Sequence, residues 1–303
     1  FSHNLITLPP EEHNIVSFIS SHVVMNSQIQ NALKALQAIL AENSALSEKR
    51  HAMLLGEAGC GKTTVLDVLR MEFKSDFPKE HFSLGEYRKQ RLVVLTLPSR
   101  ITPKSLTQQL LMAYGVHTNL NETCFELTQR AIHYMTQCQT ELVVCDEYQH
   151  LLALGSGRIA KQSARLREAQ NWMKGMINAT KASFVVVGIP ETYRLIENDE
   201  QLSRRFTHSH VLEALEPPTL ENTDLVDFVD DLLTAAAANL PYFEDVEYLS
   251  ESLDNARKIY TATTGSPTRI KDLVIGAALI AYREKSKTIA MKHFVDAYAR
   301  SSH

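Results

Sequence analysis

The sequence predicts an α/β fold: a phosphate-loop nucleotide-binding core on a parallel sheet, followed by a C-terminal helical lid. Three observations carry that expectation. A short apolar strand candidate runs directly into Gly56-Glu57-Ala58-Gly59-Cys60-Gly61-Lys62-Thr63, the complete glycine-rich phosphate loop. Further apolar runs at Leu92 to Leu97, Leu142 to Cys145 and Phe184 to Val187 alternate with helical periodicity, as buried parallel strands do. Beyond Pro217-Pro218 only helical patterns remain, so that dipeptide marks a domain boundary.

In chain order, Ile29, Leu33, Leu36 and Leu40 place one apolar face on a helix over Val23 to Ala41. Ala52 to Leu55 is the first strand, and the helix after the loop carries Val65, Leu66, Leu69 and Phe73 inward. The second strand, Leu92 to Leu97, stops at Pro98, and Pro103 opens a helix through Leu106, Leu110 and Leu111. Helices are expected at Glu122 to Cys138 and Ala164 to Ala179, with a weaker strand at His210 to Leu212. The lid helices are expected at Leu220 to Ala238, Leu249 to Thr261, Thr268 to Arg283 and Lys287 to Ala299. This gives an N-terminal extension over residues 1–20, a core over 21–216, and a lid with C-terminal helices over 217–303.

Composition bounds the function. With 303 residues, 44% hydrophobic and 22% charged, the chain is neither collagen-like, mucin-like nor wholly disordered. No apolar run approaches the 18 residues of a membrane span, so no membrane role is expected. The first residues lack a secretory signal pattern, and the absence of an initiator Met points to a trimmed chain. Four cysteines, Cys60, Cys124, Cys138 and Cys145, form neither CxxC pairs nor a disulfide framework, which reads as a reducing, cytoplasmic compartment. The formal charge of −4 hides an asymmetry: Phe206 to Ala256 holds 12 acids and no Lys or Arg. The remainder is therefore basic, and net charge does not argue against nucleic acid.

The loop explains its own residue types. Gly56, Gly59 and Gly61 let backbone amides of Glu57, Ala58 and Cys60 wrap phosphates, while Lys62 is expected to reach the β/γ-phosphates of ATP. The Thr63 hydroxyl is expected to coordinate Mg²⁺, with Thr64 beside it at the helix start. At the end of the third strand, Asp146 is placed to hold Mg²⁺ and Glu147 to polarise the attacking water, so the pair predicts ATP hydrolysis. Arg204 and Arg205 are candidates to offset charge on the γ-phosphate across a subunit boundary, and Arg269 to reach phosphate in cis.

Two basic clusters are candidates for a sequence-independent DNA-backbone surface: Arg100 with Lys104, and Arg158, Lys161, Arg165 and Arg167, the latter without an intervening acid. No aromatic residues interleave with them and no helix-turn-helix or zinc-finger pattern occurs, which favours duplex DNA over stacked single strands.

The segments Gly56 to Thr64, Leu142 to Leu151, Phe184 to Glu191, Gln201 to Phe206 and Gly265 to Ile270 resemble the AAA+ ATPases, and more narrowly the TniB/TnsC family of transposition regulators. The Asp146-Glu147-Tyr148-Gln149-His150-Leu151 and Arg204-Arg205-Phe206 stretches make the narrower match. The resemblance implies an AAA+ core with a five-stranded parallel sheet, and ATP-dependent homo-oligomeric rings or filaments around double-stranded DNA in a bacterial cytoplasm. It further implies a link between a TniQ/TnsD-like target selector, sometimes attached to a CRISPR effector, and the transposase. It ranks Arg100 and Lys104 above the later cluster. One departure stands out: the fourth strand, Val185-Val186-Val187-Gly188-Ile189-Pro190, lacks the family's polar residue, and Thr192 is the nearest hydroxyl, so slow hydrolysis is expected. Two rival readings share the core: a replication-initiator or helicase-loader-like ATPase, and a nucleotide-controlled scaffold without a nucleic-acid role.

Overall fold

A computed structural model describes residues 8–74, 89–98, 101–119, 121–152 and 160–301. The chain divides into two compact units, one comprising 31–58 and 62–212, the other 1–30, 59–61 and 213–303.

The larger unit is built on five strands: β1 (His51–Gly56), β2 (Leu92–Thr96), β3 (Leu142–Asp146), β4 (Ser183–Gly188) and β5 (Phe206–Leu212). They form one sheet in the order β2-β3-β4-β1-β5, with every neighbouring pair parallel. All six residues of β1 and of β4 are buried, which is why both read as unbroken apolar runs. The helices that serve this sheet are α3 (Lys62–Lys74), α4 (Pro103–Ala113), α5 (Cys124–Gln137) and α6 (Ala160–Ala179); α2 (Ser27–Ala45) precedes them, and α1 (Pro10–Ser21) precedes α2.

Their boundaries have local causes. Thr102 and Ser105 form a reciprocal capping box ahead of α4, with Pro103 at its first position; Thr123 and Glu126 do the same for α5. Each cap is worth about 1 kcal/mol. Asn26 Oδ1 accepts the Ile29 amide at 2.9 Å and sets the start of α2 later than periodicity suggested. Leu110, Leu111, Leu127 and Met135 from α4 and α5 meet Val93, Val143 and Val186 of the sheet in one core, each such side chain contributing roughly 1.5–3 kcal/mol on burial. Trp172 packs α6 onto α4 and donates its indole N–H to Thr107 Oγ1 at 2.8 Å.

β5 begins at Phe206, four residues before the expected start. It is an edge strand and alternates buried and open positions, so Thr207, His208 and Ser209 concealed it in a reading tuned to apolar runs. Between β4 and β5 lie the short helices α7 (Tyr193–Glu197) and α8 (Glu200–Ser203).

The second unit contains α1 with α9 (Asp224–Asn239), α10 (Leu253–Thr263), α11 (Pro267–Arg283) and α12 (Met291–Ser301). Ile15 and Ile19 of α1 share its core with Phe228, Leu232, Val274 and Phe294. Arg283 clasps Glu12 through two bonds of 2.9 and 2.7 Å, and Lys271 donates to the Ser20 and His22 carbonyls. Of the residues read as an N-terminal extension, those in α1 are thus packed among the C-terminal helices. α9 starts at Asp224 rather than Leu220, which is 91% exposed. A two-stranded parallel ladder, β6 (Asp245–Val246) with β7 (Thr288–Ile289), ties the segments before α10 and α12. The four cysteines are free thiols; burial, then the Asp146 charge, pushes Cys145 up to about 12.

His51 opens β1 fully buried, between the rings of Phe184 and Phe206. Its Nδ1 accepts the Phe184 amide at 3.0 Å, so the neutral ring carries its proton on Nε2. Burial, reinforced by the Arg205 charge, lowers its pKa to about 4. Because the unfolded chain binds this proton near the ordinary 6.5, the stability held above pH 6.5 falls as pH drops from 6.5 to 4, by about 3 kcal/mol in full. Urea midpoints at pH 7 and 4.5 should diverge in the wild type and diverge less in His51→Gln; an equal divergence in both would refute the assignment.

Candidate active site

The phosphate loop leaves β1 at Gly56 and enters α3 at Lys62. Gly59 and Gly61 sit at φ of +82° and +96°, left-handed values that other residues adopt only with strain. These two glycines turn the loop back so that it meets the start of α3, where a helix N-terminus favours anions. Cys60 is buried between them, whereas Glu57, Ala58 and Thr63 are exposed and Thr64 half-buried. The Lys62 ammonium donates to the Gly56 and Glu57 carbonyls, the latter at 2.8 Å. It is thereby held inside the loop, on contacts that a phosphate oxygen can replace.

β3 delivers the acids. Asp146 Oδ1 accepts the Glu147 amide at 2.8 Å. Burial raises the Asp146 pKa above the usual carboxylate range; the bond from the Glu147 amide opposes that rise, the Glu147 charge adds to it, and Lys62 and Arg70 pull it down. The structure therefore brings Asp146, Glu147 and Lys62 to one electrostatic neighbourhood. Glu147 is left-handed at φ +57°, followed by a 3-10 turn over Tyr148–Leu151. Such strain in a non-glycine residue concentrates at functional positions. Its carboxylate accepts a hydrogen bond from Gln149 Nε2 and lies 3.9 Å from His150 Nε2; His150 Nδ1 donates to the Leu97 carbonyl at 2.8 Å. The oxygen donors of Thr63 and Asp146 are of the hard type that suits Mg²⁺, and the loop's amides with Lys62 suit a triphosphate, so the residues present fit both groups.

The two arginines after α8 separate clearly. Arg205 donates to Asn178 Oδ1 at 2.7 Å, pairs with Glu48 at 3.3 Å, and offers its carbonyl to the His51 amide at 2.9 Å. Arg204 is exposed and, among the described residues, pairs locally with Glu200 one turn earlier. Both stand at the opening of β1, roughly 16 Å of strand from the loop at its other end. An arginine side chain does not span that length within one subunit.

Near Gly265, the residues that meet the loop are Ser266 and Thr268: Thr268 N–H donates to the Gly59 carbonyl at 3.3 Å, and both hydroxyls lie against Gly59. Arg269 instead donates to Thr264 Oγ1 at 3.3 Å and lines a cavity of about 540 Å³ with Asp272 and Arg300. Ser266 and Thr268 were missed by sequence reasoning, although the Ser-Pro-Thr helix start was their signal.

Of the basic candidates, Arg100 and Arg158 lie outside the described residues, as does the side chain of Lys161. Lys104 is half-buried in the first turn of α4, Arg165 half-buried and Arg167 exposed on α6. The Trp172–Thr107 contact sets these two helices side by side. Among the described residues no helix is long and apolar enough to cross a membrane.

Comparison with known proteins agrees with this architecture. No curated protein sequence matches the chain. Among solved structures, the Aeropyrum pernix ORC2 protein in its ADPNP-ADP complexes is similar at a TM-score of 0.66 and 12% identity, over 93% of this chain and 71% of that one. The Aeropyrum pernix ORC1 protein in complex with DNA is similar at 0.60 and 20%, over 96% and 69%. Cdc6p from Pyrobaculum aerophilum is similar at 0.58 and 18%, over 91% and 68%. At these identities the likeness is one of fold, with the same five-stranded parallel sheet and helical region. The profile of TniB, described as Bacterial TniB protein, matches residues 15–215, about two thirds of the chain, which contain the loop, the paired acids and both arginines: the chain belongs to the TniB family and is an AAA+ ATPase.

Proposed function

We propose that the protein is an ATP-controlled, oligomeric regulator that works on double-stranded DNA, with one nucleotide site completed by two subunits. Lys62 and the loop amides would bind the triphosphate, Thr63 and Asp146 would hold Mg²⁺, and Glu147 would orient the attacking water. Bound Mg²⁺ supplies charge neutralisation on the phosphates. The observation that carries the shared site is the position of Arg204: exposed, at the far end of β1 from its own loop, and so available only to a neighbour's nucleotide. Arg205, by contrast, is engaged within its own subunit. Domain boundaries at about residues 20 and 216 remain part of this reading.

Family membership supports a role in DNA transposition, coupling a target selector to the transposase. The replication-initiator reading has at least equal support, because ORC and Cdc6 chains cover more than nine tenths of this one and one of them is bound to DNA. In either role Lys104 with Arg165 and Arg167, on adjoining helices, supports a backbone-tracking surface, whose affinity should fall steeply with salt.

The test mixes subunits on duplex DNA. Arg204→Ala and Glu147→Gln proteins, each inactive alone, should regain ATP hydrolysis when combined, whereas Arg205→Ala should not complement in this way. No recovery in either mixture refutes the shared site. Assembly indifferent to duplex DNA refutes the DNA role in favour of a scaffold. Selective capture by a purified transposase or by a replicative helicase then decides between the two DNA readings.

A further inference from the structure

The order β3-β4-β1 puts the end of β4 between the strand that carries Glu147 and the strand that opens the phosphate loop, with Leu55 and Gly188 in register. Two oxygens crowd that strand end. A Cβ built on Gly188 would lie 2.5 Å from Thr192 Oγ1 and 3.0 Å from Gln149 Oε1, so only glycine admits both. Thr192 is fully buried. Both oxygens are buried without a hydrogen-bond partner among the described residues, a costly condition that calls for an explanation.

The other end of the Gln149 amide explains its orientation. Nε2 donates to Glu147 Oε2; the reversed amide would set an oxygen against a carboxylate, which repels it. Gln149 Oε1 is therefore turned to the strand end at Gly188, where the Thr192 hydroxyl also stands; no hydrogen bond joins the two in this structure. His150 does not share this task. Its Nδ1 donates to the Leu97 carbonyl, and its Nε2 stands 3.9 Å from Glu147 Oε2, beyond hydrogen-bond reach.

We propose that Gln149 is a positioning residue for Glu147, and that the Thr192 hydroxyl secures that orientation by closing onto the unpartnered Gln149 Oε1. The pair stands at the end of the fourth strand and reaches the acid rather than the nucleotide. This inference rests on the assignment of Glu147 as the group that orients water. A carboxylate at a left-handed residue has no helix or strand to fix its side chain, and a displacement of about 1 Å there costs as much as ~100-fold in rate.

The experiment measures ATP turnover and ATP affinity in parallel, with side-chain amide resonances of the nucleotide-free protein as a readout independent of activity. Gln149→Leu should lower kcat by roughly 10-fold to 100-fold with ATP affinity within about twofold. Thr192→Val, equal in shape but without the hydroxyl, should lower kcat by a smaller factor, and Thr192→Ser should restore it. In the wild type, the Gln149 NH₂ resonances should be split by the bond to Glu147 and should move in Thr192→Val. Wild-type kcat in Gln149→Leu, an equal loss of kcat and ATP affinity, or unmoved resonances in Thr192→Val would each overturn the proposal. Should Gln149→Leu fail to fold, the Thr192 series decides alone. Glu147→Gln separates the two layers: if it is inactive while Gln149→Leu is normal, only the positioning role falls, and if it turns over normally, the water-orienting role itself falls.

Discussion

Lys62→Ala should reduce ATP affinity by roughly 100-fold to 1,000-fold, the effect of removing a positioned cation from a phosphate site, about 3–4 kcal/mol. The ammonium is the charge on which the loop is organised, since it bonds two of the loop's own carbonyls. Those carbonyls border the exposed Glu57 and Ala58, so water replaces the lost donors and folding stability should change little. The consequence is a clean separation. Thermal unfolding without nucleotide should be near wild type, and the upward shift that ATP causes in the wild type should vanish. Fluorescent-nucleotide titration gives the affinity directly; a loss below threefold would remove Lys62 from the phosphate site.

Glu147→Gln should do the opposite, leaving ATP bound and lowering kcat by roughly 100-fold or more, the usual yield of a positioned general base. The substitution keeps the shape and the strained backbone but removes the charge that draws a proton from water. It also relieves Asp146 of a neighbouring anion, one of the causes that raise its pKa. ATP-dependent assemblies should then persist rather than decay, which sedimentation over time will register. Near-normal turnover would transfer the water-activating role to another group.

What was legible in the sequence follows the range of the interactions. The phosphate loop and the Asp146-Glu147 pair are spelled by contiguous residues, because a tight turn needs its glycines and a buried strand its valines in one place. The fold class followed from the same strands. The Gln149–Thr192 arrangement was not legible, for it depends on β3 lying beside β4 and on Gly188 having no side chain. Nor was the division of labour between Arg204 and Arg205, since adjacent letters gave no sign that one would be tied to Asn178 and Glu48. The same limit concealed α1: its amphipathic face matches helices that the chain reaches only after the entire sheet.

That last arrangement bears on how the chain is made. Glu12 leaves the ribosome some 270 residues before Arg283, its partner, is synthesised. At roughly 5–20 residues per second, α1 is left for on the order of tens of seconds with Ile15 and Ile19 uncovered while the sheet is completed. The nucleotide-binding sheet can therefore mature before the helical unit closes on its first helix. An N-terminal truncation beyond α1 should thus spare early folding and fail at the final step, leaving soluble intermediates that chaperones retain.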